Sequence, residues 1–221
     1  MMVIKGLIFD MDNTLLQSHI NFKEMKTDVY DFLATHGLLR HDVNKDANTT
    51  ATLIEQAKTT SLFTEQLSQA VWQIVKEHEV KGMIDARLEP HVEDLLARLS
   101  GKCYLTVLTN NAILAAISAL ETNHIKHYFD LVVGREQVSA LKPSSAGICH
   151  ILRQFPGTIP ENWLCTGDSW IDGKASQDAG VGFISYQGDR IKMEAYGVVP
   201  LLTVQTMLEL TDYLHQEFMI F

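Results

Sequence analysis

The stretch "FDMDNTLL", Phe9 to Leu16, closes an apolar run, Met2-Val3-Ile4-Lys5-Gly6-Leu7-Ile8-Phe9, with two carboxylates placed two residues apart. The run is rich in β-branched and aromatic residues, which predicts a buried strand over Val3–Phe9. Alternate residues of a strand point the same way, so Asp10 and Asp12 start out on one side. Like charges held that close resist ionising together. A hard cation such as Mg²⁺ would relieve the repulsion. From these residues alone a second reading stays open, a turn leading into a helix N-cap, because Asp12, Asn13 and Thr14 are all good capping residues.

Further strand-like runs follow at Tyr104–Leu108, Leu131–Val133, Trp163–Thr166 and Val181–Tyr186. Stretches of helical periodicity separate them, at Ala112–Ile125, Ser144–Phe155 and Ile171–Ala179. This alternation predicts an α/β fold, a parallel sheet with helices on both faces. The piece from Glu89-Pro90-His91 to Leu99 reads as a helix with proline in its first turn. Thr203–Glu217 reads as a last amphipathic helix, ending in Phe218-Met219-Ile220-Phe221, an apolar end expected to dock.

The gap between the first two strands, from about Gln17 to Leu88, is far longer than one crossover helix requires. Phe22, Met25, Val29, Phe32 and Leu33 recur at spacings of three and four, as do Leu62, Leu67, Val71, Ile74 and Val75. Asn44–Thr50 is polar and turn-like. The gap therefore predicts an inserted helical subdomain.

Each predicted core strand leads to a polar signature: Asp10-Met11-Asp12-Asn13-Thr14, Leu108-Thr109-Asn110-Asn111, Leu141-Lys142-Pro143 and Thr166-Gly167-Asp168-Ser169-Trp170-Ile171-Asp172. In a parallel sheet these ends share one edge, where open α/β sheets bind ligands. Four carboxylates, a hydroxyl and a lysine would converge there. Singly, each has an ordinary explanation: Thr109 or Asp168 as a helix cap, Lys142 as a solvated charge.

In type and order these signatures resemble the four motifs of the haloacid dehalogenase superfamily, in its phosphatase branch with a small helical cap, phosphoglycolate phosphatase-like. The matching residues are "DMDNT", "TN", "LKP" and "GDSWID". The resemblance covers most of the chain. It implies a doubly wound, Rossmann-like core over residues 1–16 and 89–221, with a cap over 17–88. It implies that Asp10 is the nucleophile and forms an aspartyl-phosphate. Mg²⁺ would be held by the Asp10 side chain, the Asp12 main-chain carbonyl and Asp168, with Asp172 a more remote or water-mediated partner. Asp12 would protonate the leaving alcohol and later deprotonate water. Thr109 and Lys142 would hold phosphoryl oxygens, and Asn110 would orient Asp10 or contact phosphate. The implied substrate is a small phosphorylated metabolite. One departure stands out: Asn13 occupies a position where many relatives carry Gly, and Asn tolerates the left-handed backbone such a turn requires.

Other chemistries fit less well. A calcium loop starting at Asp10 would need Gly at Leu15 and Glu at Asn21. Hydrolytic dehalogenases of the superfamily lack the second Asp. Sugar phosphomutases keep it, but the segment "QSHINFKEMK" shows no evident counterpart of their cap-entry histidine. Receiver domains of signalling proteins place the phosphorylated Asp on a middle strand and lack a large insertion. A non-catalytic phospho-ligand binder would have no need of the full motif set. Within the cap boundaries His19, Lys23, Lys81 and Arg87 are the polar candidates for specificity, each also explicable as a solvated residue.

Composition agrees with a globular enzyme: 221 residues, 46% hydrophobic and 20% charged. The net charge of -9 without a basic block argues against nucleic acid or an anionic membrane as partner. No apolar run reaches membrane-spanning length, and the run before Asp10 lacks a signal-type cleavage site, so a cytoplasmic location is expected. Cys103, Cys149 and Cys165 have no metal-type spacing and suit a reducing compartment. His124 and His127 are expected to share one helical face without a third ligand.

Overall fold

The computed structural model describes residues 3–40 and 42–218. In chain order the elements begin with β1 (Gly6–Phe9), β2 (Leu16–Gln17), α1 (Phe22–Thr35), α2 (Thr50–Lys58), α3 (Glu65–Met83) and β3 (Arg87–Leu88). There follow α4 (Val92–Leu99), β4 (Tyr104–Leu108), α5 (Ile113–Thr122), β5 (Leu131–Val133), α6 (Ala146–Gln154) and β6 (Trp163–Gly167). The chain closes with α7 (Trp170–Ala179), β7 (Gly182–Tyr186), α8 (Arg190–Ala195), β8 (Leu202–Val204) and α9 (Met207–Phe218).

It forms two compact units, one holding the chain up to Ser18 and from Ala86 onward, the other His19–Asp85. In the first, six strands make a parallel sheet in the order β5-β4-β1-β6-β7-β8. The expected doubly wound α/β fold is borne out. β1 is central because it is buried on both faces: Ile8 joins the core that α6 and α7 build with Ile148, Ile151 and Ala175. Its neighbours Leu7 and Phe9, equally buried, point the other way. Gly6 has no side chain because the Trp163 indole on β6 lies over it; a Cβ there would come within 2.3 Å of the ring. The chain winds from β1 outward through β4 and β5, then reverses through β6 to β8, and the reversal opens a crevice at the carboxyl ends of β1, β4 and β6.

Several boundaries differ from the sequence reading. β1 begins at Gly6, although Lys5 already pairs, its N–H donating to Asn162 O and its O accepting from Tyr104 N. α4 starts at Val92 because His91 takes φ +67, which ends helical geometry and leaves Pro90 outside the first turn. Leu202–Val204 is an edge strand paired to β7, not the start of the last helix. Of the apolar end, Met219-Ile220-Phe221 lies outside the described residues. His124 and His127 do not share a helix: α5 ends at Thr122, His124 has φ +59, and His127 sits in a short turn against Tyr128.

The second unit is helical. α1 buries Met25, Val29 and Leu33 along one face, against Leu53, Ile54 and Ala57 of α2 and Val71 and Val75 of α3. Each helix starts at a side-chain cap: Asn21 accepts from Glu24 N, Thr49 from Thr52 N and Thr64 from Leu67 N. Such a cap contributes about 1 kcal/mol. Among the described residues no helix is long and apolar enough to cross a membrane.

Candidate active site

Asp10 follows β1 directly, and its N–H donates to Thr166 O at 2.9 Å, so the sheet itself sets its position. The chain then turns back sharply. Asn13 takes φ +55, the left-handed region, and its N–H reaches Leu16 O at 2.7 Å. Asn adopts this conformation more readily than most residues, so the turn forms without Gly.

Lys142 lies between the strand ends, 4% exposed. Its Nζ donates to Asp10 Oδ1 at 2.5 Å, to Asp172 Oδ1 at 2.6 Å and to Leu108 O at 2.9 Å, engaging all three of its donors. Asn110 clamps the Lys142 main chain: Nδ2 donates to Lys142 O at 3.0 Å and Oδ1 accepts from Lys142 N at 2.9 Å. Asp172 Oδ2 accepts from Ser169 N at 3.1 Å, so both Asp172 oxygens are engaged. Thr109 is buried at the end of β4, with its Oγ1 accepting from Asn111 N at 3.1 Å.

Asp10, Asp168 and Asp172 each present an oxygen, and these atoms lie within 4.8 Å of one another. Burial pushes the Asp10 carboxyl well above the usual range; Lys142 opposes this, while Asp172, Asp168 and Asp12 reinforce it. Burial likewise raises Asp12, against the neighbouring Ser18 hydroxyl, the Lys142 charge and the Asn111 amide. Burial and Asp172 push Asp168 up to about 7. The Lys142 ammonium stays charged: burial works against it, but Asp10 and Asp172 more than offset that. The crevice is thus a crowded set of oxygen ligands in which burial and mutual repulsion oppose the charge that Lys142 only partly offsets.

Residues 7–186, which contain all four signatures, match the haloacid dehalogenase-like hydrolase family. The chain belongs to that family. As a haloacid dehalogenase-like hydrolase it is an enzyme, and it has phosphatases among its relatives. It is 25% identical over 190 residues to a phosphoglycolate phosphatase of Nitrosospira multiformis, covering 80% of each chain. Its fold is shared with a hydrolase from Pseudomonas syringae, at TM-score 0.70 and 16% identity over 96% of this chain and 99% of that one. A HAD-superfamily hydrolase, subfamily IA, from Geobacter sulfurreducens matches at TM-score 0.61 and 20% identity over 95% and 99%.

In this hydrolase the structure brings Asp10, Asp168, Asp172 and Lys142 together directly, Asn110 joins through the Lys142 main chain, and Asp12 and Thr109 are linked through a residue that sequence reasoning left without a role. That residue is Asn111: its Nδ2 donates to Asp12 Oδ2 at 2.8 Å, with both groups buried. No spacing rule connects positions 12 and 111; the only signal was its place beside Thr109 and Asn110. His19, Lys23, Lys81 and Arg87 are all exposed. Cys165 is buried within the core, and its thiol is pushed up to about 12 by that burial, which suits packing rather than reactivity.

Gly167, at the end of β6, gives a direct test of how tightly this cluster is built. A Cβ there would fall 2.5 Å from Asp172 Cγ and 2.6 Å from its Oδ2. Asp172 cannot move aside without releasing Lys142 and Ser169. Gly167→Ala should therefore cost about 1–3 kcal/mol of stability, as overpacking does. Chemical denaturation would measure it, and a variant as stable as wild type would mean that Asp172 is loosely held.

Proposed function

We propose that this hydrolase is a Mg²⁺-dependent phosphatase, acting on a small phosphorylated metabolite through an aspartyl-phosphate on Asp10. The carrying observation is the Asp10 carboxylate, fixed by β1 and held by Lys142 among three further carboxylates. The phosphatase among the relatives supports the same reaction class.

The donor set fits Mg²⁺. It consists of carboxylate and carbonyl oxygens, the ligand type Mg²⁺ prefers. The Asp10 and Asp168 side chains and the Asp12 carbonyl would hold it, with Asp172, already engaged twice, acting through another ligand or water. When bound, Mg²⁺ would offset charge between the carboxylates and the phosphate.

An Asp10 oxygen attacks phosphorus as the phosphorus–alcohol bond breaks, and Asp12 gives its proton to the departing oxygen. Asp12 then takes a proton from water, which attacks phosphorus and releases Asp10. The Thr109 hydroxyl donates to a phosphoryl oxygen, Lys142 exchanges one of its three present partners for another, and Asn110 keeps Lys142 in place. We also assign the unit His19–Asp85 the role of a cap that sets specificity. A panel of phosphorylated metabolites with Mg²⁺, scored by repeated release of inorganic phosphate, tests the proposal; a single stoichiometric phosphorylation without turnover would refute it.

The raised carboxyls add a pH signature. Without metal, the folded protein keeps protons that the unfolded chain loses near the usual carboxyl value. The Asp168 contribution to stability then falls as pH rises from that value to about 7, where Asp168 has ionised, and Asp10 and Asp12 act in the same direction. Mg²⁺ competes with those protons, so its stabilising effect should grow between about pH 5 and 8, as Asp168 ionises. Melting temperatures with and without Mg²⁺ across that range would show it. A Mg²⁺-induced shift that shrinks with rising pH would count against metal binding at this cluster.

A further inference from the structure

We infer that Asn111 is a positioning residue for Asp12, fixing the direction in which its carboxylate points. The inference rests on the proposed role of Asp12 as acid and base.

Asn111 is 4% exposed and Asp12 8%. The amide Nδ2 donates to Asp12 Oδ2 at 2.8 Å and so pins one of the two carboxylate oxygens. The first proposed step needs this carboxyl aimed at the departing alcohol oxygen as the Asp10–phosphorus bond forms. The second needs it aimed at the attacking water as that bond breaks.

Asn111 is itself fixed at both ends of its main chain. Its N–H donates to Thr109 Oγ1 at 3.1 Å and its carbonyl accepts from Arg135 N at 2.9 Å. One continuous set of bonds thus joins Thr109, through Asn111, to the Asp12 carboxyl 99 residues before Asn111 in the chain. An unanchored carboxylate would rotate between two equivalent oxygens. The Asn111 bond removes that freedom before substrate arrives.

The test uses Asn111→Leu, close in shape and without a donor, and Asn111→Asp, equal in shape with an oxygen facing an oxygen. Single-turnover bursts on the Mg²⁺-loaded protein are compared for an alkyl phosphate and p-nitrophenyl phosphate, with Asp12→Asn in parallel. The alkyl burst should fall about ten- to hundredfold, the weight of one hydrogen bond to a charged group. The aryl burst, which needs little proton donation, should stay near wild type. Equal slowing of both esters, no slowing of either, or failure of both variants to fold would overturn the inference and leave Asn111 a structural residue. Should Asp12→Asn discriminate between the esters while the Asn111 variants do not, the reading of Asp12 stands and only this inference falls. Should Asp12→Asn itself slow both equally, both fall.

Discussion

Asp10→Asn should leave the protein folded and lower kcat by on the order of 10⁴–10⁶, the scale on which losing a nucleophile is felt. The amide is nearly identical in shape, and its oxygen can still accept from Lys142, so the sheet edge keeps its form. What it lacks is a lone pair able to attack phosphorus at a useful rate. Rapid quenching with labelled substrate should place label on Asp10 in the wild type and none in the variant. Release of phosphate that persists in a carefully purified Asp10→Asn protein would remove Asp10 from the chemistry.

For Asp12→Asn the size of the effect should depend on the leaving group. An alkyl phosphate expels a strongly basic alkoxide, and losing proton donation should slow aspartyl-phosphate formation by about 10²–10⁴. p-Nitrophenyl phosphate expels a stable anion, so its first step should be nearly unchanged. The comparison must use single-turnover bursts, because hydrolysis of the intermediate also needs Asp12, as base, and stalls with either ester. With the aryl ester the expected trace is a burst followed by a phosphorylated, idle enzyme. Equal slowing of the two bursts would make Asp12 a residue of the metal site or the fold.

The central sheet was legible because each core strand is a short apolar run that stops at a polar residue. β4 and β5 match the reading residue for residue, and β6 and β7 differ by one position at an end. β8 was not legible for a physical reason: Leu202 is half-buried and Thr203 exposed, so the strand carries no alternation and exists through main-chain pairing to β7. Met207, Leu210 and Leu214 then supply a helical period that masks it. β2 and β3, two residues each, are equally silent in sequence. At the site, the carboxylates and Lys142 were legible because strand ends of a parallel sheet must converge. The bond from Asn111 to Asp12 was not, since it depends on side-chain directions in two turns far apart in the chain.

The pairing of β1 also bears on how the protein is made. Gly6 lies beside Tyr104 on one side and Trp163 on the other, so the strand carrying Asp10 is synthesised roughly a hundred residues before its first neighbour. At about 5–20 residues per second, ribosomes leave that fully apolar segment without a partner for about 5–20 s. The stretch His19–Asp85, contiguous and with its own apolar core, can bury itself within that interval. β1 cannot, and its edges stay open to misassociation until the second half of the chain emerges. The residue on which the proposed chemistry turns thus directly follows the sheet strand that waits longest for a partner during translation.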